Sequence, residues 1–464
     1  MSNILNDKII DKITQSIDYQ VRKELIKTNA LRTYNGQLYL IDQDKVAHLI
    51  PLNRKGQHII RKVLLPPDIA DILTVFKLKQ ILIDIVGGCE LEEIKPTERY
   101  VRFQNGHFDL KTQEFTPSGE LESNPTRVYF YQINANYSAS NDTNIFMSYL
   151  KSSIPEDATG LCLQSIGYLL SPVQRMKLAV FLLGNPNTGK SVLLEFLRRL
   201  IGYENTSELD LSELGKDNSN LPLLGKQINI SEDICSSVKP NMSTLKKAIG
   251  NEAISLSGKY VETINTPVRS KFIFAGNSFP SIPPAELPPF IERLLLIPFT
   301  KTIPRESQDR DLINKLWEER DSIASCAIRA FAKVYKTKDF ALPKSSQGII
   351  DHCSYMLNPG QAFIKDCLEP ASNTSFVRSQ DLKILAKEYA QINGYPEPKV
   401  SLIYQEIQRQ YNALSTKKNL KSIHLGNVNG YTKVRFKLDV IEDFASRQTY
   451  NEIKQIAKHT EGNE

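Results

Sequence analysis

The chain has 464 residues and a formal net charge of +6, with 41% hydrophobic and 24% charged residues. This length predicts two or three domains, and a composition near the soluble globular average excludes wholesale disorder and fibrous classes. Because the net charge is mild for this length, any surface for a polyanion must come from local clustering of basic residues.

Signals for membranes, disulfides and metals are weak in this sequence. No apolar run approaches the roughly 20 residues that cross a bilayer, and the start, MSNILNDKIIDKI, is polar where a signal peptide is basic and then apolar. We therefore expect a cytoplasmic protein with no membrane partner. The six cysteines form no C-x-x-C pair, so buried, reduced thiols are expected, and the six histidines show no ligand spacing.

The first two segments of the chain differ in pattern. Residues 1–141 mix helical patterns with short strand-and-turn units and predict an α+β domain. Residues 142–340 alternate apolar strands with helices, which is typical of an α/β domain built on a parallel sheet. A stretch rich in Lys, Pro and Ser, 336–348, is interpreted as a linker.

The last part of the chain predicts a small separate domain and a tail. Residues 349–446 contain three helical segments followed by KSIHLGNVNGYTKVRFK, which we interpret as a hairpin turned by Gly426–Gly430. Three helices and a hairpin are the components of a winged helix. Residues 447–464 are expected to be a polar, loosely held tail.

The strongest motif is GNPNTGKS, which fits G-x-x-x-x-G-K-[ST] between the strand-like LAVFLL and the helix-like VLLEFLRRL. In such a loop, backbone N–H groups and a helix N-terminus point at phosphates, while Lys190 supplies charge and Ser191 a magnesium-ligating hydroxyl. Kinases, GTPases and motors all use this loop, so other residues must decide among them. The predicted nucleotide-binding residues are Gly184, Asn185, Pro186, Asn187, Thr188, Gly189, Lys190 and Ser191.

Three further sites follow the loop in an order that suits hydrolysis. Glu232 and Asp233 end the short strand QINISEDI, where one carboxylate can hold a metal and the other can polarise the attacking water. Asn277, after the strand KFIFAG, can hydrogen-bond a γ-phosphate or its water. Arg293 in IERLLLIPF can reach the nucleotide of a neighbouring subunit. Alone, the acidic pair could equally be a polar strand end, and Asn277 would more simply be a turn residue.

These motifs together resemble superfamily 3 helicases of the phage and plasmid primase-helicase group. GNPNTGKS is similar to their Walker A, INISEDI to their Walker B, FIFAGN to their sensor-1 asparagine and IERLLLIPF to their arginine finger. In length and layout the chain looks nearest to the replication initiators of staphylococcal pathogenicity islands. It departs from the wider pattern at Glu292, where paired arginines are often found, and at Asp233, where a second glutamate is common.

The resemblance implies a P-loop AAA+-type helicase core that binds ATP and Mg²⁺ and assembles into a homo-hexameric ring. It assigns Lys190 and Ser191 to phosphate and Mg²⁺, Glu232 to the metal and Asp233 to activation of water. Asn277 would then act as sensor and Arg293 as a finger in trans. No acidic metal set of a primase occurs in the N-terminal part, so primer synthesis is not predicted.

The resemblance also implies that Lys259 and Tyr260 lie on a hairpin that lines the ring channel and holds single-stranded DNA. A cation beside an aromatic ring is suited to this, because the lysine can take a phosphate and the ring can stack on a base. Without the resemblance, the simpler interpretation is a solvated lysine beside a half-buried tyrosine.

Basic residues cluster near the C-terminus. Lys433, Arg435 and Lys437 recur at every second position, which on one strand would place all three on one face toward a duplex backbone. The preceding helix offers Arg409 with neighbouring Gln and Asn side chains that can contact base edges. The alternative is a solvated strand face.

The sequence and this resemblance together predict an ATP-dependent helicase that acts on single-stranded and forked DNA and binds origin duplex DNA through its C-terminal domain. The resemblance implies that it unwinds DNA 3′ to 5′. Such a protein would initiate replication of a mobile genetic element. Two alternatives stay open at this point. One is a P-loop switch or packaging motor that separates no strands, and the other is an origin-binding regulator in which ATP only sets the oligomeric state.

Overall fold

The computed structural model describes residues 18–120, 127–258, 261–419 and 427–461. The chain divides into two compact units. The large unit takes in the described residues up to Ser281 together with Glu292–Ser346, and the small unit takes in Ile282–Ile291 and the chain from Gln347 onward. Within the described residues, no helix combines the length and hydropathy needed to cross a membrane.

The N-terminal part of the large unit mixes helices with two antiparallel three-stranded sheets. The first sheet has the order β1-β2-β3, and a two-residue turn joins β1 to β2, as the Asn-Gly pair after Tyr34 favours. The second has the order β4-β5-β6. The elements are α1 (18–27), β1 (Leu31–Tyr34), β2 (Gln37–Ile41), β3 (Ala47–Leu49), α2 (Arg54–Leu64), α3 (Pro67–Ile72), α4 (Val75–Gly87), β4 (Tyr100–Phe103), β5 (Gly106–Asp109) and β6 (Phe115–Pro117).

The rest of the large unit is built on a five-stranded sheet in which every neighbouring pair is parallel, as expected from the alternation of strands and helices. Its order is β13-β7-β12-β9-β8. The elements are α5 (Asn144–Ser153), α6 (Thr159–Leu169), β7 (Ala179–Leu183), α7 (Lys190–Ile201), β8 (Thr206–Ser207), β9 (Ile228–Ile234), α8 (Met242–Ile249), β10 (Ala253–Gly258), β11 (Val261–Pro267), β12 (Lys271–Gly276), β13 (Leu294–Pro298), α10 (Leu312–Glu318) and α11 (Arg320–Thr337).

Strands β7, β12 and β13 are buried along their whole length, as is typical of a parallel sheet. One continuous core joins these strands to α5, α6, α7 and α11. The carboxylate of Glu319 accepts hydrogen bonds from the backbone N–H groups of Ile145 and Phe146, both at 2.9 Å, and so fixes the N-terminus of α5. This places α5 against the loop that follows β7.

The small unit contains the short helix α9 (Leu287–Ile291) and a mixed helical and antiparallel part with its own core. The three helices expected from the sequence are present as α13, α14 and α15. Two sheets, β14-β18 and β15-β17-β16, complete it. The elements are α12 (Lys344–Leu357), α13 (Pro359–Cys367), β14 (Leu368–Pro370), β15 (Val377–Arg378), α14 (Ser379–Ile392), α15 (Val400–Tyr411), β16 (Ser415–Asn419), β17 (Asn427–Tyr431), β18 (Val434–Phe436), α16 (Leu438–Glu442) and α17 (Arg447–Glu461).

The expected hairpin after residue 420 is paired differently. Most of the expected turn, Asn427–Gly430, lies within strand β17, which pairs with β16 and β15, whereas β18 pairs with β14. The segment KSIHL before the expected turn lies outside the described residues. Gly430 lies inside β17, where a Cβ atom would stand 2.2 Å from the Val377 carbonyl oxygen. The glycine therefore permits close approach of β15 and does not mark a turn.

Two other expectations are corrected. Residues 447–461, expected to be a loose tail, form helix α17, because Ile453 and Ile456 recur at helical spacing and are buried to 4% and 2% exposure. The proposed linker 336–348 is shorter, since α11 ends at Thr337 and α12 begins at Lys344.

The cysteines whose side chains are described are free thiols with mixed exposure. Cys162 and Cys367 are buried, and burial raises the pKa of each thiol to about 12. Cys89 is exposed, which corrects the expectation that all six are buried.

Candidate active site

The loop Gly184–Ser191 joins the carboxyl end of β7 to the first turn of α7. Strand β7 lies between β13 and β12, so the loop emerges at an inner strand of the parallel sheet. Gly189 has φ of 96°, and a Cβ there would lie 2.9 Å from both Ser153 Oγ and Tyr149 Cε2. The left-handed backbone and the lack of space together require glycine, and they let the chain curl around a concave surface at the start of α7.

Lys190 folds back across this loop. Its Nζ donates to the carbonyl oxygens of Gly184 at 2.6 Å and Asn185 at 2.8 Å. Burial lowers the pKa of Lys190, and the Asp233 carboxylate opposes that shift. A bound anion would offer the ammonium group charged acceptors, which make stronger hydrogen bonds than the two carbonyl groups.

Asp233 and Asn277 line the same cleft as the loop. The cleft encloses about 1870 Å³, including its open mouth. Asp233 has a left-handed φ of 55°, beside a register shift between β9 and β12. Non-glycine residues in this region are strained and concentrate at functional sites. The Asn277 backbone N–H donates to the Ile234 carbonyl at 3.1 Å, which fixes the ends of the two strands together.

Glu232, the other member of the acidic pair, is placed differently. Its carboxylate accepts a hydrogen bond from the Arg198 guanidinium of α7, which also donates to Glu208 at 2.7 Å. Glu232 is not among the residues that line the cleft. The structure therefore brings Asp233, and not Glu232, to the loop.

Arg293 lies at the amino ends of the parallel strands, whereas the loop lies at their carboxyl ends. Its carbonyl accepts from the Ala179 N–H at 2.8 Å, at the amino end of β7, whereas the loop begins at the carboxyl end. A strand of five residues separates these two levels by about 13 Å. Arg293 does not line its own chain's cleft.

Two segments of the cleft wall were not anticipated from the sequence. Helix α5 contributes Tyr149, whose hydroxyl donates to the Gly189 carbonyl at 2.9 Å. The segment after β13 contributes Ile303, whose N–H donates to the Asn187 carbonyl at 2.8 Å, and Arg310. No sequence motif marks these residues. Only the long-range packing of α5 and of the chain after β13 brings them to the loop.

The residues predicted to contact single-stranded DNA, Lys259 and Tyr260, lie outside the described residues. The strands before and after them, β10 and β11, form an antiparallel pair. The Ala253 and Pro267 ends of this pair are joined in register.

The predicted duplex-binding residues lie in the small unit. Arg409 is exposed on α15 and pairs with Glu406 at 2.5 Å. Of the three basic residues expected on one strand, only Arg435 lies within β18, where it pairs with Glu369 at 2.6 Å. Lys433 precedes the strand in a left-handed turn, with φ of 66°, and Lys437 follows it and caps α16. The regular period-two face is therefore broken at both ends.

Comparisons with known proteins bear on the fold of the chain and are silent on its activity. Residues 182–288, which include the loop, Asp233 and Asn277, match a family of unknown function, DUF5906. An A-form apo structure of the NrS-1 C-terminal region superposes with a TM-score of 0.51 at 12% identity, covering 89% of this chain and 98% of that one. A second apo structure of the same region gives 0.49 at 13% identity, with the same coverage. No curated protein matches. The chain thus shares its mixed α/β fold with the NrS-1 C-terminal region.

Proposed function

We propose that this chain is an ATP-hydrolysing DNA helicase of the superfamily 3 type, the motor and initiator of replication for a mobile genetic element. The observation that carries the proposal is the cleft itself. It brings the curled loop at the start of α7 together with the carboxylate of Asp233, whose backbone is left-handed, and with Asn277 at the end of a strand. Phosphate binding, water activation and sensing of a γ-phosphate need these three kinds of group in one place.

ATP and Mg²⁺ fit the donors that the cleft offers. Lys190 and the N–H groups of the first turn of α7 would hold phosphate oxygens, and the Ser191 hydroxyl would supply a hard oxygen ligand for the metal. No group of three or more His, Cys, Asp or Glu in the described residues could hold a metal alone. That fits Mg²⁺, which binds through few protein ligands and through nucleotide phosphates, and when bound would neutralise charge developing on them.

Asp233 would orient and deprotonate the attacking water, with Asn277 hydrogen-bonding beside it. Glu232 would hold the metal only after leaving Arg198, so its role as a metal ligand requires a change in that ion pair. Arg293, at the amino end of β13, would act on a neighbouring subunit's nucleotide in a hexameric ring.

The small unit would bind the origin duplex as a winged helix. Helix α15 presents Gln405, Gln408 and Arg409 outward while Ile403 and Ile407 are buried, so these polar side chains face solvent, as base contacts in a major groove would require. Lys433 and Arg435 lie at β18 and would contact the phosphate backbone. Single-stranded and forked DNA would be held by the large unit.

The decisive measurement is ATP-dependent strand separation on a forked duplex with a 3′ single-stranded arm. We expect Lys190→Ala to abolish unwinding and ATP hydrolysis, because the phosphate loses its cation. Lys333→Ala, which removes an exposed lysine of α11, is the matched control and should unwind as the wild type does. DNA-stimulated hydrolysis without unwinding by the wild type would instead favour the switch or packaging motor.

A further inference from the structure

The cleft of the candidate active site is larger than its phosphate-binding part requires. It encloses about 1870 Å³ with its open mouth, whereas small-ligand sites typically measure roughly 300–1,000 Å³. Besides the loop, Asp233 and Asn277, it is lined by α5, by the first turn of α7 and by the segment 302–312, which follows β13. Part of the cleft therefore remains for the rest of a nucleotide.

Helix α5 lines the cleft with one face. Its members are Ile145, Ser148, Tyr149 and Ser152, which are spaced as neighbours on a helix surface. The last turn of α5 meets the loop, because a Cβ on Gly189 would lie 2.9 Å from Ser153 Oγ. At 1.5 Å of rise per residue, Ile145 lies about 12 Å from Ser153 along the helix axis. The face therefore extends from the phosphate-binding loop to an apolar side chain well beyond it.

The segment after β13 forms another wall of the cleft. The Ile303 N–H donates to the Asn187 carbonyl at 2.8 Å, which fixes the start of this segment against the loop. The segment ends at Leu312, the first residue of α10, and α10 packs against both α5 and α7. Ile145 and Leu312 are partly buried and pack at the border of the same hydrophobic core. Each wall thus places an apolar side chain in the cleft.

Several polar side chains of these walls are already hydrogen-bonded within the chain. Ser148 Oγ donates to a carbonyl of its own helix at 2.8 Å, and Gln308 Nε2 to a carbonyl of its own segment at 3.1 Å. The Asp309 carboxylate accepts from Lys315 Nζ at 2.6 Å. Arg310 offers only donors, and the N7 acceptor is common to adenine and guanine. These walls therefore leave few groups that could tell one purine from the other.

We propose that the nucleoside part of the bound nucleotide lies between α5 and the segment 302–312, with its base against Ile145 and Leu312. The inference rests on the proposed function, because it places the rest of the nucleotide whose phosphates Lys190 would hold. Apolar contact holds the base, and its hydrogen-bonding edge is not read, so the chain accepts purine nucleotides as a class. Purines bind more tightly than pyrimidines because they bury more area.

The first test is calorimetric titration of the full chain with the Mg²⁺ complexes of ATP, GTP and CTP. ATP and GTP should bind within about 10²-fold of each other, since an apolar site discriminates little more than that, and CTP should bind more weakly than either. A larger preference for one purine would show that the base edge is read. That result, or CTP binding as tightly as ATP, would overturn the inference and leave the helicase proposal standing.

The second test compares ATP with inorganic tripolyphosphate, which carries no nucleoside. Ser148→Phe adds a ring at an exposed position of the α5 face, so it should weaken ATP binding roughly tenfold or more and leave tripolyphosphate binding unchanged. Leu342→Phe, at a position that is 43% exposed and away from the cleft, is the matched control and should bind both as the wild type does.

The pattern of losses decides between the two parts of the cleft. Equal weakening of both ligands by Ser148→Phe, or unchanged ATP binding, would overturn the placement of the nucleoside. A wild-type chain that binds neither ATP nor tripolyphosphate would overturn the proposed function as well.

Discussion

Asp233 is the residue on which the proposed chemistry most depends. It lies in the cleft, and its positive φ of 55° turns it out of the strand path that its neighbours follow. We expect Asp233→Asn to lower ATP turnover by about 10²–10⁴-fold, the usual contribution of a general base, while nucleotide affinity is retained. Steady-state hydrolysis, together with titration of a fluorescent nucleotide, separates the two effects.

Glu232→Gln is the comparison for that variant. If Glu232 stays with Arg198 throughout turnover, its loss should change hydrolysis much less than the loss of Asp233. Equal collapse of turnover in both variants would show that Glu232 leaves Arg198 and takes part in the reaction. Normal turnover in Asp233→Asn would contradict the role given to Asp233.

The sequence anticipated the pair of carboxylates but not their separation. Both follow an apolar strand, and that pattern is local, so it can be recognised without knowing the fold. The two carboxylates have different surroundings because Glu232 pairs with Arg198. That arginine lies on α7, 34 positions away in the chain, so no local pattern reveals the pair. The register shift beside Asp233 likewise depends on pairing with β12, which no local pattern contains.

Helix α17 is the element that the sequence predicted least well. Its residues are mostly polar, and among its described side chains only Ile453, Ile456 and Thr460 are buried, which leaves a weak hydrophobic signal. The helix is held by Ile456 packing with Phe376 and by Glu452, which accepts from Arg378 Nη2 at 2.7 Å. Tertiary contacts therefore stabilise this helix, although its composition alone predicts a loosely held segment.

We expect Ile456→Ala to destabilise the small unit by roughly 2–5 kcal/mol, the usual cost of removing a buried branched side chain. Urea denaturation, followed by hydrogen exchange of peptides from this unit, measures the change. Gln455→Ala, on the exposed side of the same helix, is the control and should leave stability within about 0.5 kcal/mol of the wild type. Equal stability of both variants would mean that α17 is not part of the folded unit.

The strand pairing of the small unit also depends on contacts that local sequence patterns do not predict. The sequence correctly placed α13, α14 and α15, whose apolar spacing is local, but it assigned Gly426–Gly430 to the turn of a hairpin, whereas Asn427–Gly430 lie in β17. In the structure β18 pairs with β14, with Arg435 opposite Glu369, 66 positions away. Pairing across that distance is set by packing of the whole unit, which periodicity does not encode.

At the scale of the whole molecule, the position of Arg293 bears on assembly. The parallel sheet puts the loop at the carboxyl ends of the strands and Arg293 at the amino end of β13. Within one chain the two are separated by the length of β7. The order of motifs along the sequence could suggest a finger, but only the sheet shows that it lies away from its own cleft.

This geometry predicts complementation between two inactive variants. Arg293→Ala should lose hydrolysis because its neighbours' sites lack the guanidinium, and Lys190→Ala because its own site cannot hold phosphate. Mixed in equal amounts, they should regain about a quarter of wild-type turnover, because one interface in about four then pairs an intact loop with an intact arginine. Hydrolysis is measured before and after the two proteins are exchanged at high concentration.

The control for complementation is a mixture of Lys190→Ala with a double variant that carries both changes. In that mixture no subunit has an intact loop, so no turnover should return whatever the geometry. A mixture of the single variants that stays as inactive as this control would place Arg293 at its own chain's nucleotide or outside the reaction, and would contradict an active site shared between subunits. Recovery near one quarter would instead make the subunit interface part of the active site, so that hydrolysis reports assembly.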